Sequence, residues 1–144
     1  MKTTIKPQVL EKLKKVFNSE KLHVLIIEDN SIAAKGQKMA VLTKRPNAVV
    51  TISGSYEESL MLIDKEHYDL ILLDNSLFSW SDSKGREGIT FIPIIKEKIP
   101  DVFILFTSTN IEVGDILMKE NRVDYYVDKG RIFELFEQLE HESA

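Results

Sequence analysis

The stretch "HYDLILLDNSLF", residues 67–78, raises the question why an apolar run of strand length should end in a carboxylate. Its apolar run over residues 70–73 has the length of a strand that is buried on both faces of a parallel sheet. The run stops at Asp74, and a buried carboxylate is rare unless it is paired or binds a metal. A turn formed by Asp74, Asn75 and Ser76 is the simpler explanation, so the rest of the chain has to decide.

The composition is that of an ordinary globular protein. The chain has 144 residues, of which 43% are hydrophobic and 29% charged, and this length suits one compact domain. No apolar run approaches the roughly 20 residues that cross a bilayer, and the N-terminus lacks the apolar segment of a signal peptide. Since the chain also has no cysteine for disulfides or thiolate metal sites, we expect a cytoplasmic protein that does not bind membranes. The net charge of −4 argues against a nucleic-acid-binding surface.

The charge is unevenly distributed along the chain. Residues 1–21 carry a net charge of +4, and the remaining residues carry −8. Four apolar residues near the N-terminus recur at helical spacing behind Pro7, namely Val9, Leu13, Val16 and Phe17. The pattern predicts a basic amphipathic helical extension over residues 1–20, followed by a domain over residues 21–144. A helix packed on its own domain is the simplest arrangement, and self-association or a partner site is the next. Binding of the basic helix to a membrane is the least favoured, because few large apolar residues form its stripe.

The rest of the chain alternates strand-like and helix-like segments five times. The strand-like runs are residues 22–27, 48–53, 69–74, 102–107 and 123–128. The helix-like segments are residues 31–44, 55–66, 88–99, 113–121 and 131–142. Alternation with short connections predicts an α/β fold, in which helices cover both faces of a doubly wound, five-stranded parallel sheet.

Several residues of the helical segments have predicted places. Ser31 is a candidate N-cap, and Ile32, Met39 and Ala40 are expected on the inner side of that helix. Ser55 with Glu58 forms a capping-box pattern, and Pro93 must lie in the first turn of its helix or kink it. The last segment has its predicted inner stripe at Ile132, Leu135, Phe136 and Leu139.

Polar or charged residues follow four of the five strand-like runs at the point where each run ends. They are Glu28 with Asp29, Asp74, Thr107, and Asp128 with Lys129, whereas the second run ends at Gly54. The carboxyl ends of parallel strands meet at one edge of the sheet, where ligands of such folds bind. The sequence therefore predicts a site at this edge.

The predicted site has the chemistry of a metal-assisted phosphoryl acceptor. Its carboxylates, on Glu28, Asp29 and Asp74, are hard oxygen ligands that suit Mg²⁺ or Mn²⁺. Two carboxylates about 4–5 Å apart repel each other by roughly 3–4 kcal/mol at an effective dielectric constant near 20, and a divalent cation relieves that repulsion. A metal with Lys129 and Thr107 would bind a phosphoryl group, and a carboxylate is the nucleophile at hand.

The segments "VLIIEDN", "YDLILLD", "ILFTS" and "YYVDK" together resemble the receiver domain of bacterial two-component response regulators, over residues 22 to about 140. The resemblance implies a flavodoxin-like strand order of 2-1-3-4-5, with Asp74 as the phospho-acceptor. The implied protein ligands of Mg²⁺ are Asp29, Asp74, Glu28 through water, and the backbone carbonyl of Ser76. Thr107 and Lys129 would contact the phosphoryl oxygens.

The resemblance also implies roles in signalling. Thr107 and Tyr126 would form the switch pair that reports phosphorylation to the last two helices. Ser76 and Thr109 would tune hydrolysis of the phosphoryl group. The implied phosphate donor is a histidine kinase or a histidine phosphotransfer protein, and the implied output is binding of an unidentified downstream protein or a homodimer. No enzymatic activity is expected beyond self-phosphorylation and self-dephosphorylation, and the expectation is a stand-alone receiver without an output domain.

Besides the extension over residues 1–20, which a minimal receiver lacks, the sequence departs from the family pattern in two places. Leu77 and Phe78 stand where the family has Met-Pro, and the loop over residues 75–88, with Trp80, is longer than usual. Gly130 follows Lys129 where the family usually has proline, so we expect a trans peptide and a different path for the next turn. These departures leave one alternative open, a receiver-shaped scaffold that binds partners without phosphorylation. Against it, all five expected functional side chains are present, and a pure scaffold would not need them.

Two enzyme-like or cofactor-binding alternatives are less consistent with the residues. An aspartate-nucleophile phosphatase would need a second aspartate two residues after Asp74, where Ser76 stands. A flavodoxin-like cofactor binder would need a phosphate loop rich in serine, threonine and glycine after the first strand, where "EDNSIAAKG" places two acids.

Overall fold

A computed structural model describes residues 6–74, 91–107 and 123–142 of the chain. These residues form a five-stranded sheet of β1 (His23–Ile27), β2 (Val49–Ser53), β3 (Leu70–Asp74), β4 (Phe103–Thr107) and β5 (Tyr125–Val127). The strand order is β2-β1-β3-β4-β5, and all neighbouring strands are parallel. The predicted sheet and its order are therefore confirmed, and each strand lies within its predicted run.

Helices cover both faces of this sheet. The described helices are α1 (Pro7–Phe17), α2 (Ser31–Lys44), α3 (Tyr56–Lys65), α4 (Ile92–Lys98) and α5 (Ile132–Glu142), the last preceded by a short 3-10 helix, Lys129–Arg131. Successive strand side chains point to opposite faces, so Val24 and Ile26 of β1 join one core with α1, α2 and α5. Leu25 and Ile27 join a second core with α3 and α4. The doubly wound arrangement is thus confirmed, while the predicted helix over residues 113–121 lies outside the described residues.

Three local predictions about the helices are confirmed. The Ser55 hydroxyl caps α3 by accepting a hydrogen bond from the Glu58 N–H at 3.2 Å. Pro93 lies in the first turn of α4, where its missing N–H costs no helical hydrogen bond. The predicted inner stripe of α5 is buried, at Ile132, Leu135, Phe136 and Leu139.

The predictions for α2 were partly wrong. Asn30, rather than Ser31, is the N-cap, because its side chain accepts a hydrogen bond from the Ala33 N–H at 2.9 Å. Ile32 and Met39 are 82% and 68% exposed. The buried residues of α2 are instead Ala34, Gln37, Ala40 and Val41. At 3.6 residues per turn, a helix that buries this stripe carries Ile32 about 200° away from Ala34, toward solvent.

Helix α1 packs against its own domain. Leu13 and Phe17 are buried in the core that α2 and α5 share, and the Phe17 ring stacks on Phe136 with 4.9 Å between ring centroids. The Arg45 guanidinium, just after α2, donates hydrogen bonds to the backbone oxygens of Phe17 and Ser19. This is the simplest of the arrangements considered for the extension, and a domain boundary between residues 20 and 21 stays a prediction.

A charged cluster fixes the other side of α1. Lys12 forms an ion pair with Asp124, just before β5, and its ammonium group lies 5.6 Å from the centroid of the Phe103 ring. Lys96 pairs with the second carboxylate oxygen of Asp124 at 3.3 Å. That same oxygen accepts a hydrogen bond from the Ile104 N–H at 2.8 Å. Helix α1 therefore contacts the sheet, through Phe103 and Asp124, as well as helices α2 and α5.

Among the residues that the structure describes, no helix has the length and apolar character needed to cross a membrane.

We expect Phe17→Ala to lower the free energy of unfolding by about 3–5 kcal/mol, because it removes a buried ring and leaves a cavity beside Phe136. The measurement is urea unfolding followed by far-ultraviolet circular dichroism. Lys15→Ala, on the exposed side of the same helix, is the matched control and should change stability little. Equal stability of the two variants would show that α1 does not contribute to the core.

Candidate functional site

The candidate site lies at the carboxyl edge of the sheet between β1 and β3. β1 pairs with β2 on one side and β3 on the other, while the connecting helices α2 and α3 cover opposite faces. This is the point at which strand order reverses and where a crevice opens in such sheets. The register pairs Ile27 with Leu73, so Glu28, directly after β1, and Asp74, the last residue of β3, lie at the same level.

Three carboxylates meet at this crevice. Glu28, Asp29 and Asp74 each offer an oxygen, and these oxygens all lie within 4.8 Å of one another. Glu28 and Asp74 are each only 2% exposed, whereas Asp29 is half-buried. Charges this close repel by several kcal/mol per pair, roughly 3–4 at an effective dielectric constant near 20. A divalent cation that prefers oxygen ligands matches both the charge and the donor set.

The Glu28 carboxylate is oriented by two donors. Its Oε2 accepts a hydrogen bond from the Asn30 N–H at 3.1 Å, and its Oε1 accepts one from the Gln37 side-chain amide at 3.4 Å. Gln37 was not among the residues that the sequence predicted for the site. It lies between Ala34 and Ala40 on the inner stripe of α2, and because the sequence predicted another rotation of this helix, no signal in the sequence identified it.

Thr107 ends β4 directly beside Asp74, since the two residues are paired in register. Its side chain is fully buried, and its hydroxyl donates a hydrogen bond to the backbone oxygen of Leu73 at 3.3 Å. The structure thus brings together four of the predicted site residues, Glu28, Asp29, Asp74 and Thr107. A hydroxyl at this position can rotate its hydrogen toward a ligand that binds next to Asp74.

Strand β5 places Tyr126, which lies within it, and Lys129, which comes two residues after its end. Lys129 opens the short 3-10 helix directly after the strand, and the Asp128 carboxylate caps that turn by accepting the Gly130 N–H at 2.9 Å. Tyr126 is buried, with its ring tilted 43° to that of Phe106 at 6.4 Å between centroids. Burial also raises the pKa of the neighbouring Tyr125 phenol, which keeps that group neutral. The contact of Lys129 with a phosphoryl group and the switch role of Tyr126 stay predictions.

The remaining predicted site residues, Ser76 and Thr109, lie outside the described residues. The same holds for the long loop over residues 75–88 with Phe78 and Trp80. A metal contact through the Ser76 carbonyl and the tuning of hydrolysis by Ser76 and Thr109 therefore stay predictions.

Comparison with curated proteins finds a response regulator. The chain is 27% identical over 119 residues to the probable C4-dicarboxylate response regulator DctR of Bacillus subtilis. The match covers 81% of this chain and 50% of that protein, so the chain spans only half the length of its relative. No protein-family model matches the chain.

Solved structures of receiver domains superpose well on this chain. The signal receiver domain of a DNA-binding response regulator from Colwellia psychrerythraea matches with a TM-score of 0.67 at 15% identity, covering 83% of this chain and 98% of that one. A CheY-like receiver domain protein from Methanospirillum hungatei matches with a TM-score of 0.63 at 19% identity, covering 85% and 99%. A response regulator from Burkholderia pseudomallei, solved with a phosphorylated aspartic acid, a calcium ion and citrate, matches at 0.62 with 21% identity, covering 85% and 73%.

The chain therefore has the fold of response-regulator receiver domains, and the resemblance predicted from its strand-end motifs is confirmed. The confirmed likeness includes the flavodoxin-like strand order.

We expect Asp74→Asn to raise the free energy of unfolding of the metal-free protein by roughly 1–3 kcal/mol, because it removes a buried carboxylate that the carboxylates of Glu28 and Asp29 repel. Mg²⁺ should stabilise the wild-type protein by binding to its folded state and should stabilise this variant far less. Thermal unfolding with and without Mg²⁺ measures both effects. Glu11→Gln, an exposed acid on α1, is the control and should respond to Mg²⁺ as the wild type does.

Proposed function

We propose that this chain is the receiver of a two-component phosphorelay, which Mg²⁺-dependent phosphorylation of Asp74 switches between two protein-binding states. The observation that carries the proposal is the cluster of Glu28, Asp29 and Asp74 oxygens within 4.8 Å at the strand-order reversal, directly beside Thr107. The calcium ion and the phosphorylated aspartic acid named for the Burkholderia pseudomallei structure are consistent with such a site in this fold.

The proposed chemistry is transfer of a phosphoryl group from a phosphohistidine of a histidine kinase or phosphotransfer protein. A carboxylate oxygen of Asp74 attacks phosphorus, the P–N bond breaks, the imidazole leaves, and an acyl phosphate forms on Asp74. Bound Mg²⁺ would neutralise charge on the transferring oxygens. Asp29, Asp74 and the Ser76 carbonyl would hold the ion directly and Glu28 through water.

The remaining site residues act on the phosphoryl oxygens. The Thr107 hydroxyl, which now donates to the Leu73 oxygen, would donate to one of them, and the Lys129 ammonium group would pair with another. This exchange of partners at Thr107 gives the switch a physical origin, because the Leu73 oxygen loses a donor when the phosphoryl oxygen gains one. Tyr126, on the neighbouring strand, would transmit the change to the surface that binds a downstream protein or a second copy of the chain.

Loss of the phosphoryl group would occur by hydrolysis at Asp74, tuned by Ser76 and Thr109. No general base was evident at those two positions in the sequence, so we expect slow hydrolysis. We propose no other enzymatic activity. The phosphatase alternative stays disfavoured, because Ser76 occupies the position where a second aspartate would be needed.

The proposal is tested by intact mass spectrometry after incubation with acetyl phosphate, with and without Mg²⁺. We expect the wild-type protein to gain one phosphoryl group only when Mg²⁺ is present, because the cation offsets the repulsion between the acidic cluster and the anionic donor. Asp74→Asn should gain none, since it lacks the nucleophile. Asp64→Asn, an exposed aspartate on α3 outside the cluster, should gain the group normally.

A wild-type protein that binds Mg²⁺ but gains no phosphoryl group from acetyl phosphate or from phosphohistidine-containing donor proteins would contradict the proposal. That result would favour the alternative of a receiver-shaped scaffold that acts without phosphorylation. A phosphoryl group retained by Asp74→Asn would instead place the acceptor elsewhere in the chain.

A further inference from the structure

We propose that Gln37 is a positioning residue, whose side-chain amide holds the Glu28 carboxylate in the orientation needed for divalent-cation binding. The inference rests on the proposed function only in assuming that the acidic cluster binds a metal. It assigns a role to a residue outside the set that the receiver resemblance implies.

The alternation of β1 brings Glu28 and Gln37 together. Glu28 follows the strand on the same side as Ile26, and that side is the face covered by α2. Gln37 belongs to the inner stripe of α2 and is 5% exposed, and its Nε2 lies 3.4 Å from Oε1 of Glu28. The other carboxylate oxygen accepts the Asn30 N–H, at the start of the same helix. Helix α2 therefore supplies both contacts and fixes the plane of the carboxylate.

The burial of Gln37 supports a hydrogen bond between its side-chain amide and Glu28. A separation of 3.4 Å is long for a hydrogen bond, but an amide that has left water rarely persists in a core without a partner. Ala34 and Ala40, one turn before and after it on the same stripe, make the inner face of α2 otherwise small and apolar. A polar side chain at this place is therefore better explained by Glu28 than by packing.

The neutral charge of the amide suits a metal site. A lysine or arginine beside Glu28 would also orient the carboxylate, but its positive charge would oppose a cation. Glutamine orients the group and leaves its full negative charge available. Removing a group that orients a metal ligand typically changes metal affinity by about 10–100-fold. Because Glu28 would contact the ion through water, we expect the low end of this range, about tenfold.

The test is isothermal titration calorimetry of Mg²⁺ binding to the wild-type protein and to Gln37→Met. Methionine has nearly the same length but no amide, and Gln37 borders a groove between α2 and α5 that can accommodate the change. We expect the dissociation constant for Mg²⁺ to rise about tenfold. Gln138→Met, at an exposed position of α5, is the matched control and should leave the constant unchanged.

A double-mutant cycle with Glu28→Gln separates positioning from a general structural effect. If Gln37 acts through Glu28, Gln37→Met should weaken Mg²⁺ binding in the wild-type background and have little further effect in Glu28→Gln. Thermal unfolding of each metal-free variant establishes that the proteins compared are folded. An unchanged dissociation constant in Gln37→Met, or an equal loss in both backgrounds, would overturn the inference.

These outcomes are distinct from failure of the proposed function. A wild-type protein that binds Mg²⁺ but is never phosphorylated contradicts the proposed phosphorelay. The Mg²⁺ affinities of the wild-type protein and Gln37→Met still test the role of Gln37 in that case. A wild-type protein that does not bind Mg²⁺ overturns the role of Gln37 as well, because there is then no bound cation for Glu28 to serve.

Discussion

The constraint on which the rest of the structure depends is the parallel pairing of β1 with β3, which holds three mutually repelling carboxylates at one edge of the sheet. Because Ile27 pairs with Leu73, Glu28 directly after β1 and Asp74 at the end of β3 lie at the same level. The apolar cores on the two faces of the sheet hold those strands in place against this repulsion. Such local conflicts with stability are expected where a protein binds a ligand, and here the ligand expected is a cation.

Most of the fold could be predicted from the sequence, because the strands are short, continuous apolar runs whose ends carry polar residues. The rotation of α2 could not. Its inner stripe consists of alanines, a valine and a glutamine, while Ile32 and Met39 face solvent. Close packing of α2 against the sheet and α5 favours small side chains, so the usual rule that large apolar residues lie inside gave the wrong face.

The sequence predicted which strand ends contribute to the candidate site, but it did not predict the hydrogen-bond partners of their side chains. Strand-end position identified Glu28, Asp29, Asp74 and Thr107, since parallel strands present their carboxyl ends together. The partners of those groups depend on helix rotation and on hydroxyl direction, which a linear pattern does not encode. This is why neither the Gln37 contact with Glu28 nor the Thr107 contact with the Leu73 oxygen was foreseen.

The docking of α1 has a consequence for the order in which the chain assembles. Its ring stack joins Phe17 to Phe136, and its ion pair joins Lys12 to Asp124, 112 positions further along the chain. During synthesis at about 5–20 residues per second, α1 leaves the ribosome on the order of ten seconds before these partners do. Helix α1 can therefore form its early contacts, with Arg45 and the first strand, well before Asp124 and Phe136 are made, and its ring stack and ion pair close only after α5 has been synthesised.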